Sequence, residues 1–263
     1  MTLKRLYQAY VLDLDGTVYL GDTLLPRAGE AVTRLRAAGR RVVFLSNNPT
    51  RSRASYAGKL TRLGLATSAI DVLNSSMVMV EFLRARLHGA RLFVIGEQPL
   101  KDDLDAAGFA LVDDAAHTDA VIASFDRTFE YRKLQTAFDA IRRGARFFAT
   151  NADRYCPVPG GGQPDAAAVI AAIEACTEVK CETVVGKPSR HTINALLTML
   201  GTEPEECLMV GDRLETDIQM GHDARMHTAL VLTGATSEAM LEKSRLKPTY
   251  VLRNLGELAP AGV

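Results

Sequence analysis

The sequence predicts an α/β fold, a parallel sheet with helices on both faces. Two observations lead there. Short apolar runs alternate with segments of helical periodicity along almost the whole chain. Four of the runs end abruptly in polar residues: DLDGT, LSNN, VVGKPS and VGDRLETD. Strands of an open α/β sheet end in this way at the carboxyl edge, where ligands bind.

The elements follow in order. YVLDL is a short apolar run that leads into a loop. Residues 28–38 place Ala31, Val32, Leu35 and Ala38 on one helical face, and Gly39 ends that helix. RVVFLSNN is the second strand, followed by a helix over 52–63, the VLNSS strand end and a helix near 76–87. RLFVIG, AVIAS and RFFATN read as strands of a middle region. Its helices are 130–142, with Tyr131, Leu134, Phe138 and Ile141 at helical spacing, and 166–176. PVPGGGQP at 157–164 reads as a loop. The last third gives ETVVGKPS, a helix over 190–200, CLMVGD, a helix near 215–222, HTALVLTG and a closing YVL.

Composition narrows the function. At 263 residues the chain makes one large domain or two small ones and buries a sizeable core. A formal net charge of zero leaves no basic footprint for a nucleic-acid polymer. No apolar stretch approaches a membrane span, and MTLKRLYQAYVL reads as the first strand rather than a signal peptide. Cysteines 156, 176, 181 and 207 form no CxxC, so reduced thiols and a cytoplasmic location are expected.

The polar strand ends carry the chemistry. They supply Asp13, Asp15, Asp212 and Asp217, the Ser46 hydroxyl, the Asn47 and Asn48 amides, and Lys187. Grouped carboxylates suit a hard cation such as Mg2+, which offsets their mutual repulsion. A cation, a lysine, a hydroxyl and the backbone amides after Gly16 together neutralise a phosphoryl group. One aspartate then attacks phosphorus, and the other serves as general acid and base. An EF-hand is excluded, because the glycine falls at the fourth loop position and the twelfth residue is Leu24. GKPS lacks the glycine-rich run of a Walker motif. Any one piece alone reads as a turn, a cap or a solvated charge; their order at successive strand ends does not.

That order resembles the haloacid dehalogenase (HAD) superfamily of phosphatases. Its first motif, DxDGT, matches Asp13–Thr17; its Ser/Thr matches Ser46; its lysine matches Lys187; its GDxxxTD matches Gly211–Asp217. The interval from Asp13 to Ser46 holds a loop, a helix and a strand, whereas that from Ser46 to Lys187 is far longer than one crossover needs. Together with LSNNPTRSR, SFDRTFEYRKL, ATNADR and VGKPS, this resembles the NagD-like branch, with its 4-nitrophenyl, phosphoglycolate and pyridoxal phosphatases. The resemblance implies a Rossmann-like core at 1–78 and 180–263 and an inserted α/β cap at 79–179. It also implies Asp13 as nucleophile, Asp15 as general acid/base, and Ser46 and Lys187 as phosphoryl ligands with Gly16 and Asn47 in support. Mg2+ is expected on the Asp13 carboxylate, the Asp15 carbonyl and Asp212, with Asp217 orienting metal waters or Lys187.

In that branch the cap selects the leaving group, which nominates Asp153, Tyr155, Cys156 and Pro157. Cys156-Pro157 stands where pyridoxal phosphatases tend to carry His-Pro, which lowers the expectation of pyridoxal phosphate. Asp165 reads first as a helix N-cap, and second as a contact to a substrate hydroxyl or amine. Small phosphorylated metabolites are the expected partners: phosphoglycolate, glycerol phosphate, sugar phosphates or nucleotides. A homodimer through the cap is a further expectation. A phosphotransferase or mutase, or a non-catalytic phosphometabolite-binding module, are the alternatives.

Overall fold

The computed structural model describes residue 3 and residues 5–258. Its larger sheet has six parallel strands, in the order Tyr250–Leu252, His227–Val231, Cys207–Gly211, Ala9–Asp13, Arg41–Ser46, Val72–Asn74. The smaller sheet has five, in the order Thr183–Val184, Arg146–Ala149, Ala120–Ala123, Arg91–Ile95, Ala110–Leu111, again parallel. The α/β expectation holds.

Period-two alternation sorts the apolar residues of each strand onto two faces. Tyr10, Leu12, Phe44, Leu208 and Val210 face one side, against helices Ala28–Ala37 and Arg53–Arg62. Ala9, Val11, Val43, Leu45 and Met209 face the other, against helices Ser75–Arg86 and Arg190–Leu200. The smaller sheet repeats the pattern: Phe93, Ile95, Val121 and Phe147 pack on helices Tyr131–Arg142 and Ala166–Thr177. Its opposite face, with Leu92, Val94, Ile122 and Phe148, joins the same apolar cluster as Val11 and Val43. Helix Ser75–Arg86 links the two sheets through this cluster, and its Phe82 ring meets Phe148 edge-on at 5.1 Å.

Several local expectations need correction. The strand before Lys187 does not join the larger sheet: Thr183–Val184 pairs with Phe148 and Ala149 at the edge of the smaller one. Lys187 therefore approaches from a loop beside the larger sheet, so only three of the four polar strand ends share its carboxyl edge. The expected loop at 157–164 is part of an antiparallel hairpin, Tyr155–Val158 with Gly161–Pro164. Its glycines carry little strand propensity, but the Tyr155 ring lies over Gly162, where an added Cβ would stand 2.7 Å from it. Helix Gln98–Ala106 and the two-residue strand Ala110–Leu111 went unread in the sequence. Tyr131, assigned to an apolar helix face, is 77% exposed. It is the first residue of the helix, whose buried residues are Ala137, Ala140 and Ile141 further along.

Asn74 ends a strand of the larger sheet and caps the linking helix. Its Oδ1 accepts from Met77 N at 3.2 Å, and its Nδ2 donates to the Arg51 carbonyl at 3.0 Å, in a fully buried position. Asn74→Ala removes both bonds and leaves two orphaned backbone groups, so a loss of about 1–2 kcal/mol is expected. Urea denaturation at constant slope should show the lower midpoint.

Candidate active site

The Ala9–Asp13 strand delivers Asp13 to the sheet edge, and the Cys207–Gly211 strand beside it leads into Asp212. A single π-helical turn, Leu214–Ile218, then brings Asp217 back beneath Gly211. Lys187 closes the group from the far side. Its Nζ donates to Asp13 Oδ1 at 2.6 Å and to Asp217 Oδ1 at 2.7 Å, and all three residues are buried. Carboxylate oxygens of Asp13, Asp212 and Asp217 lie within 4.8 Å of one another.

Close packing requires several of the surrounding glycines. A Cβ on Gly16, whose φ is +90°, would stand 2.6 Å from Asp212 Oδ2. A Cβ on Gly234 would overlap the same carboxylate, and one on Gly211 would overlap Asp217. The Gly16 amide itself donates to the Tyr19 carbonyl at 2.9 Å, so its role here is steric clearance around Asp212.

Electrostatics matches this geometry. Burial raises the Asp13 carboxyl well above the ordinary carboxylate range, while Lys187 pulls it back and Asp217 and Asp212 push it up. Burial, with Asp217 adding to it, lifts Asp212 to about 7. Burial also raises Asp15, against Lys59, Lys187 and Arg51. For Lys187 burial favours the neutral amine, but Asp13 and Asp217 more than offset it and hold the ammonium.

The donor set fits a hard cation. Asp212 Oδ2 accepts from Ala235 N at 2.6 Å, whereas its Oδ1 is buried without any hydrogen-bond partner. A buried carboxylate oxygen left unpaired is costly unless something positive meets it. Both Asp217 oxygens are already used: Oδ1 by Lys187, Oδ2 by Arg213 N at 3.0 Å. Asp13 and Asp212 are thus the side chains with oxygens to offer, and Asp217 orients Lys187.

The remaining candidates surround this centre. Ser46 is buried, and its Oγ accepts from Asn48 N at 3.1 Å. Asn47 turns away from the acids to fix Lys187: its Oδ1 accepts from Lys187 N at 2.8 Å, and its Nδ2 donates to Asp153 at 3.2 Å. Asp153, half-buried, is raised by burial against Arg213 and Lys187. Tyr155 is bonded through its carbonyl to Arg213 Nη2 at 2.9 Å, with the guanidinium 5.0 Å above its ring. Cys156 Sγ accepts from Asn48 Nδ2 at 3.5 Å, and burial pushes its thiol up to about 12. Asp13, Asp15, Ser46, Asn47, Asp153, Tyr155, Cys156, Pro157, Lys187, Asp212 and Asp217 all line one small cavity. Asp165, Arg213 and Thr216 line it too. Thr216 is the threonine of the GDxxxTD motif, whereas Arg213 falls at one of its variable positions.

Asp165 keeps both of its readings. Its Oδ1 accepts from Ala166 N at 2.6 Å, as an N-terminal cap, and from Asn151 Nδ2 at 3.2 Å, while the residue also lines the cavity. A larger cavity of about 470 Å³ lies alongside and shares Asp15, Asn48, Cys156 and Pro157 with the first. Its walls also hold Arg51 and Lys59, which drew no attention in the sequence because a helix-surface lysine and a loop arginine are ordinary there.

Comparison with known proteins agrees with this geometry. A haloacid dehalogenase-like hydrolase family model matches residues 10–110, and a HAD-hydrolase-like model matches residues 184–258. The sugar-phosphatase AraL of Bacillus subtilis is 39% identical over 256 residues, covering 96% of this chain and 93% of its own. The crystal structure of a 4-nitrophenylphosphatase from Thermotoga maritima superposes with a TM-score of 0.90 at 36% identity, covering 95% of each chain. NagD from E. coli K-12 superposes with a TM-score of 0.87 at 30% identity, covering 97% of this chain and 99% of that one.

The buried Asp165 yields a pH prediction. Burial, then the neighbouring Asp153, raises its carboxyl from 3.8 to about 7 against the Ala166 amide. The fold favours the neutral form, so this contribution is fully present below about pH 4 and is lost as pH rises through 7. Asn keeps the cap and never ionises. Asp165→Asn is therefore expected to gain stability over the parent between pH 5 and pH 8, read as urea midpoints of both proteins at each pH.

Proposed function

The chain belongs to the haloacid dehalogenase-like hydrolases, as a NagD-like phosphoric monoester hydrolase, and from that premise we propose a Mg2+-dependent phosphatase of small phosphate monoesters that works through a phosphoaspartate on Asp13. The observation that carries this reading is the Lys187 ammonium held between Asp13 and Asp217 at 2.6 and 2.7 Å. Lys187 occupies Asp13 Oδ1, which keeps a second lone pair for a cation, and leaves Oδ2 to attack.

In the first half-reaction Asp13 Oδ2 forms a bond to phosphorus as the ester P–O bond breaks. Asp15, in its protonated form, gives its proton to the departing alkoxide oxygen. Burial of Asp15 favours that protonated form. In the second half-reaction Asp15 takes a proton from water, the water oxygen bonds to phosphorus, and the acyl-phosphate P–O bond to Asp13 breaks. Phosphate leaves, and both aspartates return to their starting states. Lys187 and the Ser46 hydroxyl neutralise the non-bridging oxygens as charge develops. Asp13, Asp212 and the Asp15 carbonyl would hold the magnesium ion, which when bound supplies charge stabilisation to the transferring group.

The segment 79–179, with the Thr183–Val184 strand that completes the edge of its sheet, serves as the cap over a core of residues 1–78 and the rest of 180–263. Its hairpin brings Tyr155, Cys156 and Pro157 into the catalytic cavity, and Pro159 reaches Gly21 across the cleft. A covered site of this size favours small esters, among them sugar phosphates, phosphoglycolate and glycerol phosphate, over bulky phosphoproteins. AraL is a sugar phosphatase, and the Thermotoga relative acts on a nitrophenyl ester.

Phosphate release from 4-nitrophenyl phosphate and a panel of phosphorylated metabolites tests the reading. Release should require Mg2+ and stop on chelation. Asp15→Asn should lower kcat about 10²–10⁴-fold, the usual range for a lost general acid, and Asp13→Asn should abolish turnover. Retained activity in Asp13→Asn would remove the phosphoaspartate from the mechanism. Isomerised product without free phosphate would favour a mutase.

A further inference from the structure

The larger cavity, beyond Asp15, is where a leaving group must lie if Asp15 protonates it. The charges around it are unequally paired. Arg127, on the cap side, is neutralised by Glu97, with both of its bonds to that carboxylate at 2.6 Å. Asp102 accepts from Gln98 at 2.7 Å. On the core side the two cations, Arg51 and Lys59, both act on the Asp15 carboxyl but make no side-chain hydrogen bond among the described residues. The Arg51 backbone is nevertheless fixed from three directions. Asn48 builds a tight turn onto Thr50, with bonds of 2.9 and 2.7 Å; Ser52 caps the next helix; and Asn74 holds the Arg51 carbonyl at 3.0 Å.

Lys59, one turn before the end of helix Arg53–Arg62, is only 6% exposed. Its ammonium sits 3.6 Å from the centre of the Tyr19 ring. Among the described residues its one carboxylate within 4 Å is Asp22, at 3.7 Å, beyond hydrogen-bond range and with an 89% exposed side chain, while the Asp15 carboxyl acts on it from farther off. A buried ammonium has three protons to give, and here no described residue takes one at hydrogen-bond distance. The face of an aromatic ring holds a cation in place without using its donors.

We infer that Lys59 and Arg51 form an anion subsite for the leaving group. The preferred substrate class is then a small phosphate monoester that bears a second anionic substituent, such as a carboxylate, on its alcohol. The inference rests on the phosphatase reading and assigns specificity to two core residues rather than to the cap residues alone. Arg51 offers a planar fork that matches a carboxylate, and Lys59 offers a point charge on a largely buried stem.

The experiment compares two esters of one carbon skeleton, 3-phosphoglycerate and glycerol 3-phosphate, which differ by a carboxylate in place of a hydroxymethyl group. 4-Nitrophenyl phosphate serves as reference, all with Mg2+. Wild type should favour the carboxylate by about tenfold or more in kcat/KM, the size of one charge-assisted hydrogen bond. Lys59→Met and Arg51→Met should each shrink that ratio by about tenfold, mainly through KM, and Lys59→Arg should retain it. A wild type without the preference, or a Lys59→Met that slows both esters by the same factor, overturns the inference. Turnover of 4-nitrophenyl phosphate in that case leaves the phosphatase reading standing; no turnover of any of the three esters removes both.

Discussion

Everything at this site depends on one buried ammonium. Lys187 joins three segments that are remote in sequence: the end of the first strand at Asp13, the π-helical turn at Asp217, and its own loop after the smaller sheet. Taking three charges out of water is costly, and removing one partner from such a group typically costs about 3–5 kcal/mol. The arrangement holds because the ammonium gives two short bonds and its backbone is held as well. Asn47, at the end of another strand, accepts from the Lys187 amide at 2.8 Å. The cation is thus located by the sheet, not by the flexibility of a lysine side chain.

The same constraint explains the glycines. Two carboxylates, Asp212 and Asp217, must approach backbone more closely than a side chain would permit. Gly211 admits Asp217, while Gly16 and Gly234 admit Asp212. Gly186 allows its neighbour Lys187 to pass, since a Cβ there would stand 2.5 Å from the Thr150 carbonyl and 2.8 Å from Asn47 Oδ1. Close packing against backbone excludes water, which strengthens each charge pair and raises Asp13 and Asp212 together. It also leaves Asp212 Oδ1 without a partner among the described residues, an oxygen open to a cation.

The centre was legible in the sequence because strand ends are local. An apolar run followed by an acid states where a side chain will stand relative to its own sheet, and Asp13, Ser46 and Asp212 follow from that alone. Lys187 was legible as a residue but not as a position, since a two-residue strand cannot declare which sheet it joins. The hairpin at 155–164 was hidden for a different reason. Its Tyr155 ring covers Gly162, a cross-strand contact that a run of glycines and prolines does not advertise. Arg51 and Lys59 carried no signal, because what distinguishes them is a missing partner, and absence of pairing exists only in three dimensions.

The two cavities then divide the work by the kind of residue that lines each. In the catalytic one, Lys187 is bonded to two acids, Asn47 to Lys187 and Asp153, and Asp217 to Lys187 and Arg213, so few donors remain adjustable. Such a site treats any phosphoryl group alike. The neighbouring cavity is lined on the cap side by the already neutralised Arg127, and on the core side by cations with donors to spare. Only Asp15, Asn48, Cys156 and Pro157 belong to both. A substitution at Lys59 or Arg51 therefore acts on the leaving group and on the charge around Asp15, without passing through Lys187.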